Sequence, residues 1–266
     1  MNPALFKKVM GFTLIELLVV LAISSILITA LYRTFVSQQK IYSVQEQVVD
    51  MQQNINLAMG RMTRELRMAG YGGNMLAVFG NVNGFTQIIT PSETSVTLLM
   101  ADEVGVLTQN ATKGNNQVVL QDASSNFNTQ KKKYLCLNRQ NNYVVQSVSG
   151  NLITLATPLA EDHVGNEPVY LVKAITYGLG VSGGKTVLQR NENTGGGSQP
   201  LTENMELLKF TYYDTNGMDT TNPPDIRLIR VTTTAKTGMS DPELKREDGF
   251  RKRTLACNIR VRNMGL

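Results

Sequence analysis

The sequence predicts an α+β protein in which one long N-terminal helix, with a transmembrane first half, packs on an antiparallel β-sheet domain. Two observations predict this class. Residues 12–32 form an apolar run with one charge and no Pro or Gly, and beyond residue 70 short β-branched and aromatic runs alternate with Gly, Asn and Pro. With 266 residues, 42% of them hydrophobic, the chain is long enough for one anchor and one globular domain.

The apolar run has the length of a bilayer-spanning helix, about 30 Å at ~1.5 Å per residue. Its single charge is Glu16. A carboxylate costs about 2.5–3.5 kcal/mol near a bilayer centre and less near its edge. No Lys, Arg or His lies between Phe12 and Tyr32. We therefore expect Glu16 to need a positive partner from outside the run.

The helical period continues beyond the apolar run. Apolar residues recur at steps of three and four positions: Ile41, Val44, Val48, Met51, Ile55, Ala58, Met62, Leu66 and Ala69. Gly60 is the one interruption, and a helix tolerates it at a cost of ~1 kcal/mol. The pattern predicts a single helix over residues 12–69, about 85 Å long, whose second half packs on the chain's own sheet. A coiled coil is the alternative use of the same stripe.

Gly70, Gly72 and Gly73 end the helix and open the β-rich domain of residues 70–266. Short runs rich in β-branched and aromatic residues, separated by Gly, Asn and Pro, predict ten strands there, over residues 95–100, 117–121, 133–137, 143–148, 152–155, 169–177, 186–190, 206–213, 225–233 and 253–262. The sequence Ser149-Gly150-Asn151 predicts a hairpin turn. Three polar stretches, 191–204, 214–224 and 236–252, are predicted to be long connections.

The start of the chain resembles a known signal. Gly11-Phe-Thr-Leu-Ile-Glu16, preceded by Lys7 and Lys8 and followed by the apolar run, is similar to the class III signal of type IV pilins and type II secretion pseudopilins. The resemblance implies a leader over residues 1–11, cleavage by a prepilin peptidase after Gly11 and N-methylation of Phe12. It also implies that Glu16 meets the N-terminal amine of a neighbouring subunit. Cleavage would create the cation that Glu16 lacks.

Two other uses of this segment fit the sequence less well. A secretory signal places its cleavage site after the apolar region, at small residues, whereas here the helical pattern runs on into Arg33 and Phe35. An uncleaved anchor would tolerate Glu16 poorly.

The second half of the chain resembles PilW-type minor pilins and the related minor pseudopilin GspJ. The resemblance rests on residues 169–177, 188–190, 200–214 and 226–234 and on Arg262-Asn263. It implies a non-enzymatic minor type IV pilin, in or at the tip of a pilus, that helps to initiate assembly. The implied partners are prepilin peptidase, other minor and major pilins and the assembly platform. A GspJ-like subunit of a type II secretion system and an adhesive or DNA-binding module on a pilin stem are the alternatives.

The basic leader predicts the orientation of the chain. Lys7 and Lys8 precede the apolar run, which places that side in the cytoplasm by the positive-inside rule. We expect a single-pass inner-membrane protein before assembly, with an extracytoplasmic domain, and a pilus component afterwards.

The two cysteines, Cys136 and Cys257, could oxidise in an extracytoplasmic compartment. A disulfide closing so long a loop would contribute on the order of 4–5 kcal/mol to the free energy of unfolding. Two free thiols are the alternative.

No pattern in the sequence indicates a catalytic site, a cofactor or a metal. There is no Gly-rich phosphate loop and no G-x-S-x-G turn. Asp214, Asn216 and Asp219 offer oxygen ligands for calcium but lack the Glu of an EF-hand loop, so we expect turn chemistry. His163, the one histidine, follows two acidic residues, and a solvated acidic turn is predicted in place of a zinc site.

The charge balance is too mild to indicate a polyanion partner. The net charge is +5, and removing Lys7 and Lys8 leaves 24 of the 26 basic residues against 21 acidic ones, or +3. The run Lys131-Lys132-Lys133 beside Tyr134 could touch DNA, but three consecutive lysines are more often a solvated turn. We therefore expect no nucleic-acid partner.

Overall fold

A computed structural model describes residues 12–241, 244 and 248–264. Its first element is helix α1, Leu14–Arg67, an uninterrupted helix of 54 residues. The chain divides into two compact units, Met1–Val49 and Asp50–Leu266. The described part of the first unit is Phe12, Thr13 and helix α1 as far as Val49, and its apolar side chains are largely exposed.

In the second unit, the remaining turns of α1 bury one face. The buried residues are Met51, Ile55, Ala58, Met59, Met62, Glu65 and Leu66, which confirms the predicted apolar stripe from Met51 onwards. Of its earlier members, Ile41 is exposed and Val44 and Val48 are half-buried. Gly60 lies on the exposed side, where an added Cβ would meet no atom within 4 Å. At the end of the helix, Gly70 has φ 80°, and a Cβ there would lie 2.8 Å from the carbonyl oxygen of Asn263. Only glycine fits that position without strain.

The larger sheet of the second unit is antiparallel throughout and has nine strands. These are β1 Ile89–Pro91, β2 Ser95–Val106, β3 Gln117–Val119, β4 Tyr134–Leu137, β5 Asn141–Ser149, β6 Leu152–Leu155, β7 Pro168–Ser182, β8 Lys185–Asn191 and β9 Ser198–Glu203. The strand order is β1-β2-β7-β4-β5-β6-β3, and β8 pairs with both β7 and β9. Two short helices, α2 Met75–Phe79 and α3 Ala123–Asn126, lie in the connections.

Strand β7 lies at the centre of this sheet. Its residues from Val169 to Ile175 are all buried, as expected for a strand covered on both faces. One apolar cluster forms around β3 to β6 and includes Phe127, Tyr143 and Leu155. A second cluster packs around α2, with Met75 and Tyr170 among its members.

A separate sheet of three antiparallel strands follows: β10 Met205–Tyr213, β11 Leu228–Lys236 and β12 Lys252–Arg260. A short 3-10 turn, Pro223–Asp225, precedes β11. Tyr212 links the two sheets, because its hydroxyl donates to the carbonyl of Ser92 (2.8 Å) and accepts from the amide of Ser92 (3.0 Å). The outward face of this sheet is largely exposed and mostly polar, with Leu207 and Leu228 among its apolar members.

All ten predicted strands are present, with shifted ends, and the hairpin turn at Ser149-Gly150-Asn151 joins β5 to β6. The prediction for residues 191–204 was wrong, because this stretch contains strand β9, and β1 was missed. Strand β9 is mostly exposed and contains Pro200, so it lacks the apolar alternation by which strands are recognised. A proline is compatible with this strand because β9 lies at the edge of the sheet.

Candidate functional site

The N-terminal apolar segment is the first candidate site. Among the described residues, one helix is long and apolar enough to cross a membrane, Leu14–Arg67, and none of its most apolar stretch is buried. Phe12 is 86% exposed, and the large side chains that follow it, such as Leu14 and Ile26, are also exposed. So much apolar surface requires a lipid or protein environment. Gly11, Lys7 and Lys8, the other residues of the predicted signal, lie outside the described residues.

Thr13 and Glu16 form a capping box at the start of α1. The Glu16 carboxylate accepts, through Oε2, from the Thr13 amide (2.8 Å) and the Thr13 hydroxyl (3.0 Å). The Thr13 hydroxyl in turn accepts from the Glu16 amide (3.3 Å). This arrangement satisfies backbone donors that the first helical turn leaves free. Glu16 thus has hydrogen-bond partners at the start of its own helix, in addition to any cation that it meets. The spacing Thr-x-x-Glu is the sequence pattern that indicates this capping box.

A buried polar cluster, which we call the Glu65 cluster, joins α1 to the larger sheet. The Glu65 carboxylate accepts from the Tyr177 hydroxyl (2.7 Å) and from Nε of Arg190 (3.0 Å). Glu65 is 7% exposed and Arg190 is 8% exposed. Burial raises the pKa of Tyr177, and the negative charge of Glu65 raises it further, so the hydroxyl remains a donor. The three residues come from helix α1 and strands β7 and β8.

The Glu65 cluster continues through alternating charges towards the surface. Arg190 Nη1 donates to Glu192 (2.7 Å), and Lys173 Nζ donates to Glu192 (2.9 Å) and to Asp102 (2.8 Å). Burial alone would raise the pKa of Glu192, but hydrogen bonds from Lys173 and Arg190 lower it to about 2. Every charge in the chain of contacts has an opposite neighbour. This chain of paired charges holds the end of helix α1 on the larger sheet. The positions of these residues in the sequence do not indicate that they come together.

The predicted disulfide is absent, because both cysteines are free thiols. Cys136 lies in β4, fully buried, with Sγ 3.6 Å from the carbonyl oxygen of Gly72. Burial raises its pKa to about 12, so the thiol is not reactive. Cys257 lies in β12, in the other sheet, and is partly exposed. The two residues are therefore held in separate sheets, each with its own strand neighbours.

The histidine is not in a solvated turn, as the sequence had suggested. His163 is 2% exposed, and its Nδ1 lies 2.9 Å from Oε1 of Glu167.

The loop around Asp214 has the turn chemistry that the sequence predicted. The Asp214 carboxylate accepts from the amides of Asn216 (2.8 Å) and Met218 (2.9 Å). Over the part of the chain that the structure describes, no group of three or more His, Cys, Asp or Glu side chains could hold a metal ion.

Comparison with known proteins gives one match. The model of the prokaryotic N-terminal methylation motif matches residues 8–32, the stretch that carries Phe12, the capping box and the apolar run. This motif indicates a type IV pilin-like or pseudopilin-like protein, and it implies interaction with other pilins and with the prepilin peptidase in general terms. With the exposed apolar helix, it is consistent with membrane anchoring and a pilus. No curated protein and no solved structure matches the chain.

Proposed function

We propose that this chain is a PilW-like minor type IV pilin, a structural subunit that is cleaved after Gly11, methylated at Phe12 and incorporated in or at the tip of a pilus to help initiate assembly. The observation that supports the proposal most directly is the coincidence of the methylation motif, at residues 8–32, with a helix whose apolar side chains are exposed. The bilayer would cover this surface before assembly, and the helices of other subunits would cover it afterwards.

The geometry at Glu16 supports an assembly role. Both hydrogen bonds from Thr13 end on Oε2, and Oε1 has no partner among residues 12–241, 244 and 248–264. The methylated amine of a neighbouring Phe12 could therefore bind Oε1 without breaking the capping box. A carboxylate in a low-dielectric environment gains most from an opposite charge within a few ångströms. The capping box would hold Glu16 in place for that contact.

In this proposal the chain crosses the inner membrane once, with the two sheets on the extracytoplasmic side. Its partners are prepilin peptidase, other minor and major pilins and the pilus assembly platform. It carries out no catalysis. A second candidate, a GspJ-like minor pseudopilin of a type II secretion system, is supported by the same motif, which pilins and pseudopilins share.

Deleting the gene and measuring two outputs tests both candidates. A minor pilin predicts loss of surface pili with normal release of exoproteins, whereas a pseudopilin predicts the reverse. Restoring the wild-type chain should restore the affected output, and restoring Glu16→Ala should not, although that variant should still insert in the membrane and be cleaved. A deletion strain with normal pili and normal secretion would contradict the proposal.

A further inference from the structure

The outward face of the three-stranded sheet carries a cleft of about 760 Å³. Its lining includes Arg227, Arg230, Arg260, Tyr213 and Asn258, and we call it the arginine cleft. The volume lies within the range of about 300–1,000 Å³ that ligand sites commonly have. The cleft shares no residue with the methylation motif or with the Glu65 cluster.

The strand register brings two of the arginines together. Arg230 of β11 lies opposite Asn258 of β12, and Leu228 lies opposite Arg260. Arg230 and Arg260 are therefore diagonal neighbours on one face of the sheet. Both are exposed, and within the described part of the chain neither guanidinium has a hydrogen-bond or ion-pair partner.

Two lysines on the same sheet differ in this respect. Lys209 pairs with Glu93 at 2.9 Å, and Lys252 pairs with two carboxylates, those of Glu206 and Asp248. Arg253, towards the other end of β12, is also exposed and lacks such a partner among the described residues, so the feature that distinguishes the cleft is the proximity of Arg230 to Arg260.

The remaining charged groups leave the cleft positive. Arg227 Nη1 donates to the carbonyl oxygens of Pro224 (2.7 Å) and Ile226 (3.0 Å), which holds its guanidinium at the cleft with other N–H donors still available. Asp214 is the one carboxylate among the described lining residues. It keeps its negative charge while its Oδ1 accepts two backbone amides of its own turn, so three arginines face one carboxylate and the lining has a formal net charge of +2.

We propose that the arginine cleft binds single-stranded nucleic acid, with Arg230 and Arg260 contacting phosphates and Tyr213 stacking on a base. Guanidinium groups recognise phosphate oxygens through paired, directional hydrogen bonds. Tyr213 ends β10 on the outward face, is partly exposed and lies across from Leu228, next to the arginines. A cationic groove with an aromatic ring is the usual composition of a site for single strands. The lysine run Lys131-Lys132-Lys133, which the sequence singled out, has no part in this site.

The test measures binding of a short fluorescent single-stranded DNA to the full chain in detergent micelles, by anisotropy over a series of salt concentrations. Arg230→Gln combined with Arg260→Gln should weaken binding by about tenfold or more. The slope of log K against log salt concentration should also become shallower by about 1.4, because each of the two lost phosphate contacts contributes about 0.7 to that slope. Tyr213→Leu should weaken binding by about fivefold or more through lost stacking, and Tyr213→Phe should retain it.

The matched control is Lys131→Gln combined with Lys133→Gln, which removes the same charge from the predicted lysine run and should leave the affinity unchanged. Circular dichroism of each variant checks that the sheets remain folded. The proposal is overturned if the wild-type chain does not bind, if both double variants lose affinity equally, or if Tyr213→Leu binds as the wild type does. Stronger competition by a sulfated polysaccharide than by unlabelled DNA would also overturn it, by assigning the cleft to another polyanion.

Discussion

Replacing Glu65 with alanine should destabilise the second unit more than any single exposed substitution. Glu65 is 7% exposed and accepts from Arg190 at 3.0 Å and from Tyr177 at 2.7 Å. Removing one member of a buried ion pair costs about 3–5 kcal/mol, because the other charge stays buried and unpaired. Arg190 would keep Glu192, at 2.7 Å, as a partner. We therefore expect the lower end of the range, about 3 kcal/mol.

The assay is urea denaturation of the full chain in detergent micelles, followed by near-ultraviolet circular dichroism, which reports the packing of tyrosines in the sheets. Tyr177→Phe should cost about 1.5 kcal/mol, the low end for a hydrogen bond to a charged group. Glu65→Ala combined with Arg190→Ala should cost less than the sum of the two single changes, because each single change leaves a buried charge without its main partner.

Arg61→Ala is the matched control. Arg61 contacts the same carboxylate of Glu65, at 3.4 Å, but its side chain is 41% exposed. Exposed pairs of this kind contribute about 0.5 kcal/mol or less. If Glu65→Ala lowered the free energy of unfolding no more than Arg61→Ala does, the Glu65 cluster would not be what holds the helix on the sheet.

Three further predictions concern other sites. Mass spectrometry of membrane fractions should find mature chains that begin with N-methylated Phe12, and Glu16→Ala should be processed equally but should not co-purify with other pilins; an intact Met1 terminus would contradict the processing. The pKa of Glu192 is depressed to about 2 from an ordinary value of 4.5, so its contribution to stability is complete above about pH 4.5 and is lost as the pH falls towards 2. Glu192→Gln should reduce the change in unfolding free energy over this pH range by about 1 kcal/mol, once solvent screening of this partly exposed carboxylate is allowed for. If the variant and the wild type lost stability equally in acid, Glu192 would not be the group responsible. A thiol reagent should label Cys257 in the native chain and Cys136 only after unfolding; labelling of neither in unfolded, unreduced protein would show a disulfide.

The sequence by itself determined the features that depend on near neighbours. The extent of α1, the exposed apolar run and the buried stripe from Met51 to Leu66 all follow from a period of about 3.6 residues, which is a local property. The alternation of β12 follows equally from the period of two residues in a strand. The capping box at Thr13 and Glu16 is also a local feature, because the spacing Thr-x-x-Glu alone indicates it.

Only the tertiary structure decided which distant residues meet. Glu65 and Arg190 lie 125 positions apart, and nothing near either residue in the sequence indicates that β8 will lie beside the helix. The strand order likewise places Cys136 and Cys257 in different sheets, and the register of β11 against β12 brings Arg230 next to Arg260. Periodicity sets which face of an element is buried, but it carries no information about which other element covers that face. Partners far apart in the chain are therefore chosen by the packing of the whole unit.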